Sequence, residues 1–77
     1  MRVLVVEDDF DLSGALTRLL TRRGFHVVHC THGVEAMQLL EQDVFELVVL
    51  DLGLPGMDGL QLLQRLRGRG LTLPVLV

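Results

Sequence analysis

The sequence predicts an α/β fold built as a doubly wound parallel sheet, and three observations carry that prediction. First, Val3–Val6 and Leu47–Leu50 are short, wholly apolar runs bounded by acidic or turn residues, the pattern of strands buried on both faces. Second, leucines recur at helical spacing between and after these runs. Third, both runs end in carboxylates, Glu7-Asp8-Asp9 after the first and Asp51 after the second. In a parallel sheet all strands end at one edge, and that edge is where ligands bind.

The elements follow in order. Strand one is Val3–Val6. Leu12, Leu16, Leu19 and Leu20 then mark a helix from about Asp11 to Arg23, with Asp9 or Asp11 at its start, Arg22 and Arg23 in its last turn and Gly24 just beyond. Phe25–Cys30 is strand two. Its His26 and His29 suit an edge strand, and a spacing of three puts them on opposite faces, as surface residues rather than a ligand pair. Thr31, His32 and Gly33 make a turn. Val34, Ala36, Met37 and Leu40 give a second helix to about Glu41, with Met37 filling the core. Leu47–Leu50 is strand three. Gly53, Pro55, Gly56 and Gly59 punctuate the loop after it, and Asp58 suits the N-cap of a third helix carrying Leu60, Leu63 and Leu66 on one side. Leu73–Val77 begins a fourth strand, with Pro74 tolerated near its start. The order β-α-β-α-β-α-β calls for parallel strands joined by right-handed crossovers.

At 77 residues the chain holds at most one domain, running from 1 to 77. Its hydrophobic content of 49% and mean hydropathy of +0.45 are too high for a disordered segment. They are also high for so small a body, which points to surfaces covered by something else. The net charge of −3, without a long basic tract, argues against direct nucleic-acid binding by this segment. Arg65, Arg67 and Arg69 fit a solvated face near a helix C-terminus, where the dipole favours cations. No apolar run approaches the roughly 18 residues of a membrane span, so no membrane partner is expected. Glu7, Asp8 and Asp9 interrupt the first apolar run too early for a signal peptide. A single cysteine, Cys30, makes no internal disulfide, and the expected location is cytoplasmic.

Strands one and three are commonly neighbours across the switch point of a doubly wound sheet. Glu7 and Asp8 then come within reach of Asp51. Carboxylates converging without a basic partner repel one another, and a hard divalent cation removes that conflict. Carboxylate oxygens, retained waters and a backbone carbonyl, here that of Gly53, are what Mg2+ takes.

These residues resemble the receiver domain of bacterial two-component response regulators. Val5-Val6-Glu7-Asp8-Asp9 after strand one and Asp51-Leu52-Gly53-Leu54-Pro55-Gly56-Met57-Asp58-Gly59 after strand three carry the resemblance, which extends over the chain in element order. It implies a flavodoxin-like receiver fold, here truncated after the fourth strand. It implies that Asp51 is the phosphoacceptor, that Glu7 and Asp8 are the acidic metal-binding pair, and that Gly53 offers its carbonyl to Mg2+. The phosphoryl group would come from a sensor histidine kinase or a small phosphodonor. The loop wording is most similar to the winged-helix transcription-factor subclass, whose DNA contacts lie in a C-terminal domain. The family pattern continues with a Ser or Thr ending strand four and a Lys ending strand five, beyond Val77 of this sequence.

Two rivals remain in view. A haloacid dehalogenase-type phosphotransferase also uses an aspartate nucleophile and magnesium. It calls for a second aspartate two residues on, where this chain has Gly53, and for the first strand rather than the third. The second rival is a half-domain that folds or self-associates without phosphotransfer, through an uncovered fourth-strand edge. No phosphate-cradling Gly-rich signature is present to suggest a nucleotide site.

Overall fold

A computed structural model describes residues 1–50, 59–70 and 73–76. The element order is β1 (Arg2–Val6), α1 (Phe10–Arg22), β2 (His26–Cys30), α2 (Gly33–Gln42), β3 (Leu47–Leu50), α3 (Gly59–Gly68) and β4 (Val75–Leu76). The sequence placed every one of these, with boundaries that agree to within two residues. The expected N-cap at Asp58 and the end of strand four at Val77 lie outside the described residues.

The four strands form one parallel sheet in the order β2-β1-β3-β4. The chain moves outward from β1 to β2, returns to β3 and continues to β4, so the switch point falls between β1 and β3. The histidine-bearing β2 takes an edge, as its composition suggested.

The two faces of the sheet are distinguished by residue parity. Leu4 and Val6 of β1 and Val48 and Leu50 of β3 join Ala36, Met37 and Leu40 of α2 and Leu62 and Leu66 of α3 in one apolar cluster. Val3 and Val5 point the other way, where α1 packs over β2 and β1. Strand β1 is therefore buried on both faces. Strand β3 is not, contrary to the sequence expectation. Val48 and Leu50 are buried, but Leu47 and Val49 are only partly covered. They pair with Val3 and Val5 on the α1 side, and α1 lies over β1 and β2 rather than β3.

Two helical faces also differ from expectation. In α3 the buried residues are Leu62 and Leu66, four apart on one stripe, while Leu60 is 57% exposed. Leu60 lies roughly 200° around the helix from Leu62 at 3.6 residues per turn. In α1 only Ser13 is buried; Leu16 and Leu20 are half-buried, and Leu12 and Leu19 lie open. The N-terminus of α1 is capped by Asp9, whose Oδ1 accepts from the Leu12 amide at 3.0 Å. The chain leaves α1 through Gly24 at φ 90°, a left-handed conformation that glycine takes without a Cβ penalty.

The opposite, N-terminal edge of the sheet is tied by charged groups. The Arg2 amide donates to Glu46 Oε2 at 2.6 Å, its guanidinium lies 3.4 Å from Asp43 and it covers the ring of buried Phe45. Arg69 pairs with Glu41, and Arg67 donates to the Leu73 carbonyl at 2.9 Å. Two of the three arginines read as a solvated face thus fasten the end of α3 to α2 and to the approach to β4.

Candidate functional site

The C-terminal edge of the sheet carries the first acidic cluster. Val6 pairs with Cys30 on one side and with Leu50 on the other, so β1, β2 and β3 all end level with one another. The β1–β2 ladder continues one residue further, the Glu7 amide donating to the Cys30 carbonyl at 3.1 Å. Glu7 consequently leaves the sheet from a fixed backbone position. Its residue is only 8% exposed, an unusual degree of burial for a carboxylate. One oxygen, Oε1, accepts from the Asp9 amide at 2.9 Å, which folds the side chain back over the turn into α1.

Asp8, the next residue, is exposed. Asp9 is committed to capping α1, which separates the three consecutive acids by role. Glu7 is buried and positioned, Asp8 is open to solvent, and Asp9 holds the helix. Ser13, the buried polar residue of α1, closes the first turn by donating its hydroxyl to the Phe10 carbonyl at 3.0 Å.

Asp51 and Gly53, the expected phosphoacceptor and carbonyl ligand, lie outside the described residues. Among the described residues no group of three or more His, Cys, Asp or Glu side chains is gathered to hold a metal. The donor set is nonetheless of the right chemistry for a hard cation, since Glu7 and Asp8 supply carboxylate oxygens at one strand end.

Two neighbours on β2 were given no part in the site by sequence. His29 Nε2 lies 2.9 Å from the Glu7 carbonyl oxygen. Because a carbonyl only accepts, Nε2 carries the hydrogen and donates. The spacing of two histidines on one strand carried no signal for this contact, which depends on the strand pairing. Cys30 is buried at the end of β2. Burial, and then the charge of Glu35, push its thiol up to about 12, against a smaller lowering effect of a backbone hydrogen bond from His32. It remains a protonated, unreactive thiol at neutral pH.

The family model described as the response regulator receiver domain matches residues 3–77. The chain belongs to the response regulator receiver family. The transcriptional regulatory protein TctD of Salmonella typhimurium is 47% identical over the whole chain, which corresponds to 34% of TctD. This chain thus spans about a third of the length of the curated relatives it matches. Among solved structures, the receiver domain of the Francisella response regulator 1452 superposes with a TM-score of 0.93 at 28% identity, over 96% of this chain and 61% of that one. The response regulator TrrA of Thermotoga maritima, solved in complex with Mg2+-BeF, gives a TM-score of 0.90 at 27% identity, over 96% of this chain and 64% of TrrA. The doubly wound, flavodoxin-like receiver fold expected from the sequence is the fold observed. No described helix is long and apolar enough to cross a membrane.

Proposed function

We propose that this receiver takes a phosphoryl group onto Asp51 from a sensor histidine kinase, with Mg2+ held by Glu7, Asp8, Asp51 and the Gly53 carbonyl. The observation that carries this reading is the register of β1 against β3. Val6 pairs with Leu50, and the residues that follow them in the chain are Glu7 and Asp51. The Mg2+-BeF complex of TrrA supports the same chemistry, because beryllofluoride imitates a phosphoryl group bound to a carboxylate.

In this reading the chain's own residues supply position and charge. The Asp51 carboxylate attacks phosphorus in line, the bond from phosphorus to the donor breaks, and the phosphoryl group is left as an acyl phosphate. Glu7 and Asp8 provide negative oxygens for a cation, with Glu7 held in place by the ladder bond of its own amide and by the Asp9 amide. A bound Mg2+ supplies offsetting charge at the phosphoryl oxygens. The domain acts as a switch that is loaded and unloaded rather than as an enzyme with turnover on a separate substrate.

The name of TctD supports transcription as the regulated output; the wording of residues 51–59 resembles the winged-helix subclass, in which DNA would be bound by a domain outside residues 1–77, and the proposed location is cytoplasmic. Residues 1–77 are then one part of a receiver domain. Self-association through the β4 edge is a separate proposal, checked by the solution mass of the 1–77 chain over a dilution series.

The deciding experiment is labelling of the intact protein by a radioactive small phosphodonor in Mg2+, with Asp51→Asn beside it. A retained fold and a lost label in the variant are the expected result. Equal labelling of Asp51→Asn removes Asp51 as the acceptor, and no labelling of the wild type favours a domain that does not transfer phosphate.

A further inference from the structure

We propose that His29 is a positioning residue for the acidic site, holding the Glu7 backbone, and that this contact sets the affinity of the site for Mg2+. The inference rests on the metal reading given above and adds a residue from a different strand.

The argument begins with the parallel ladder between β1 and β2. On one side of the pair, the His26 amide donates to the Met1 carbonyl at 2.8 Å. Steps of two residues along both strands carry this pattern to Val28 with Val3, Cys30 with Val5, and then residue 32 with Glu7. Strand β2 ends at Cys30, however, and His32 is already the N-cap of α2. The donor that meets the Glu7 carbonyl is instead the His29 side chain, 2.9 Å away. The imidazole thus takes the place of the next rung.

The consequence is that Glu7 is gripped from β2 through both of its backbone polar groups. Its amide donates to the Cys30 carbonyl at 3.1 Å, and its carbonyl accepts from His29. The Glu7 carbonyl belongs to the peptide unit that leads into Asp8, so the contact also fixes where the exposed Asp8 carboxylate begins. A site whose ligands are held before the ion arrives loses less ordering entropy on binding. Partners behind metal ligands commonly affect affinity in this way.

The structural alternative is that His29 merely suits an edge strand. Two substitutions separate the roles. His29→Val removes the donor but favours a strand, whereas His29→Gln keeps an N–H donor on a residue less suited to one. A strand role ranks Val above Gln in every measurement; a positioning role ranks Gln above Val in Mg2+ affinity, whatever their stabilities.

The test is calorimetric titration of the intact protein with MgCl2, with Asp8→Asn as the control for the metal reading and a urea melt for each variant. His29→Val is expected to bind Mg2+ roughly three- to tenfold more weakly, the scale of one hydrogen bond, and His29→Gln to recover most of the loss. In phosphodonor labelling, the Mg2+ concentration for half-maximal rate rises in His29→Val, while the rate at saturating Mg2+ stays near wild type. Wild-type affinity in His29→Val, or equal loss in both variants, overturns the proposal while leaving the metal site in place. Unchanged Mg2+ binding in Asp8→Asn overturns the metal reading, and this proposal with it.

Discussion

Val6 of β1 is the register partner of Leu50 of β3, and both side chains are buried on the face beneath α2 and α3. They are the last apolar pair before the chain turns acidic on both strands. Each packs against the other and against shared neighbours in the cluster, so truncating one loosens the setting of the second. Leu50→Ala should cost about 2–5 kcal/mol. The double variant with Val6→Ala should fall short of the sum by about 0.5 kcal/mol or more, since contacting residues couple. Urea denaturation of the four proteins measures this, and strict additivity would show that the pair does not act together.

Magnesium affinity should depend on the exposed carboxylate beside the buried one. Asp8→Asn keeps size and exposure but removes an anionic oxygen ligand, so binding should weaken by roughly tenfold or more. Acid should weaken binding in the wild type as well, because protonated carboxylates do not coordinate. Titrations with MgCl2 at neutral and mildly acid pH check both statements, and indifference to pH would count against carboxylate ligation.

The cap of α1 makes a narrower test. Asp9 Oδ1 accepts from the Leu12 amide at 3.0 Å, and the Asp9 amide is also the group that holds Glu7 Oε1. Asp9→Ala should lower stability by about 0.5–2 kcal/mol through the lost cap, while leaving the backbone amide available to Glu7. Its Mg2+ affinity should therefore fall far less than that of Asp8→Asn. A larger fall in Asp9→Ala would make Asp9 a ligand rather than a cap.

The order of elements was legible because β1 and β3 are short apolar runs, α1 has its own start and stop residues, and turn residues separate the rest. The acidic end of β1 was legible for the same reason, since Glu7 and Asp8 directly follow Val6 in sequence. What sequence did not carry depends on neighbours. Strand β3 looks as apolar as β1, yet Leu47 and Val49 are half-covered because α1 lies over a different pair of strands. His29 shows no sequence signal for its contact with Glu7, which exists only once β2 is paired with β1. Arg67 and Arg69 looked like solvated charges, but Arg69 meets Glu41 of α2, far away in sequence, and Arg67 meets the Leu73 carbonyl just after its own helix.

The rotated face of α3 gives a direct comparison of two leucines on one helix. Leu62 is fully buried and Leu60 is 57% exposed. Leu62→Ala should cost about 2–5 kcal/mol, as a cavity opens against the sheet. Leu60→Ala should change stability by no more than about 0.5 kcal/mol, as for surface substitutions generally. Thermal or urea melts decide it, and equal losses would restore the face that the Leu60, Leu63 and Leu66 spacing suggested.

Cys30 should resist alkylation in the folded protein. It is 2% exposed, and burial, followed by the Glu35 charge, raises its thiol from the ordinary 9.0 to about 12. The thiolate is the nucleophile, so at pH 8 its supply falls roughly a thousandfold on folding, before access is considered. Iodoacetamide should label the protein promptly in urea and scarcely at all without it. The same shift has a sign in stability. The folded state holds the thiol proton more tightly than the unfolded state, so this group leaves stability unchanged below about pH 9. It then lowers stability as the pH rises from 9.0 towards about 12, where the unfolded chain ionises first. Cys30→Ala should remove that part of the alkaline decline while leaving the slope at neutral pH as it was. Urea midpoints at pH 8 and pH 10 for the two proteins test the sign, and a parallel decline in both would show that Cys30 is not the group responsible.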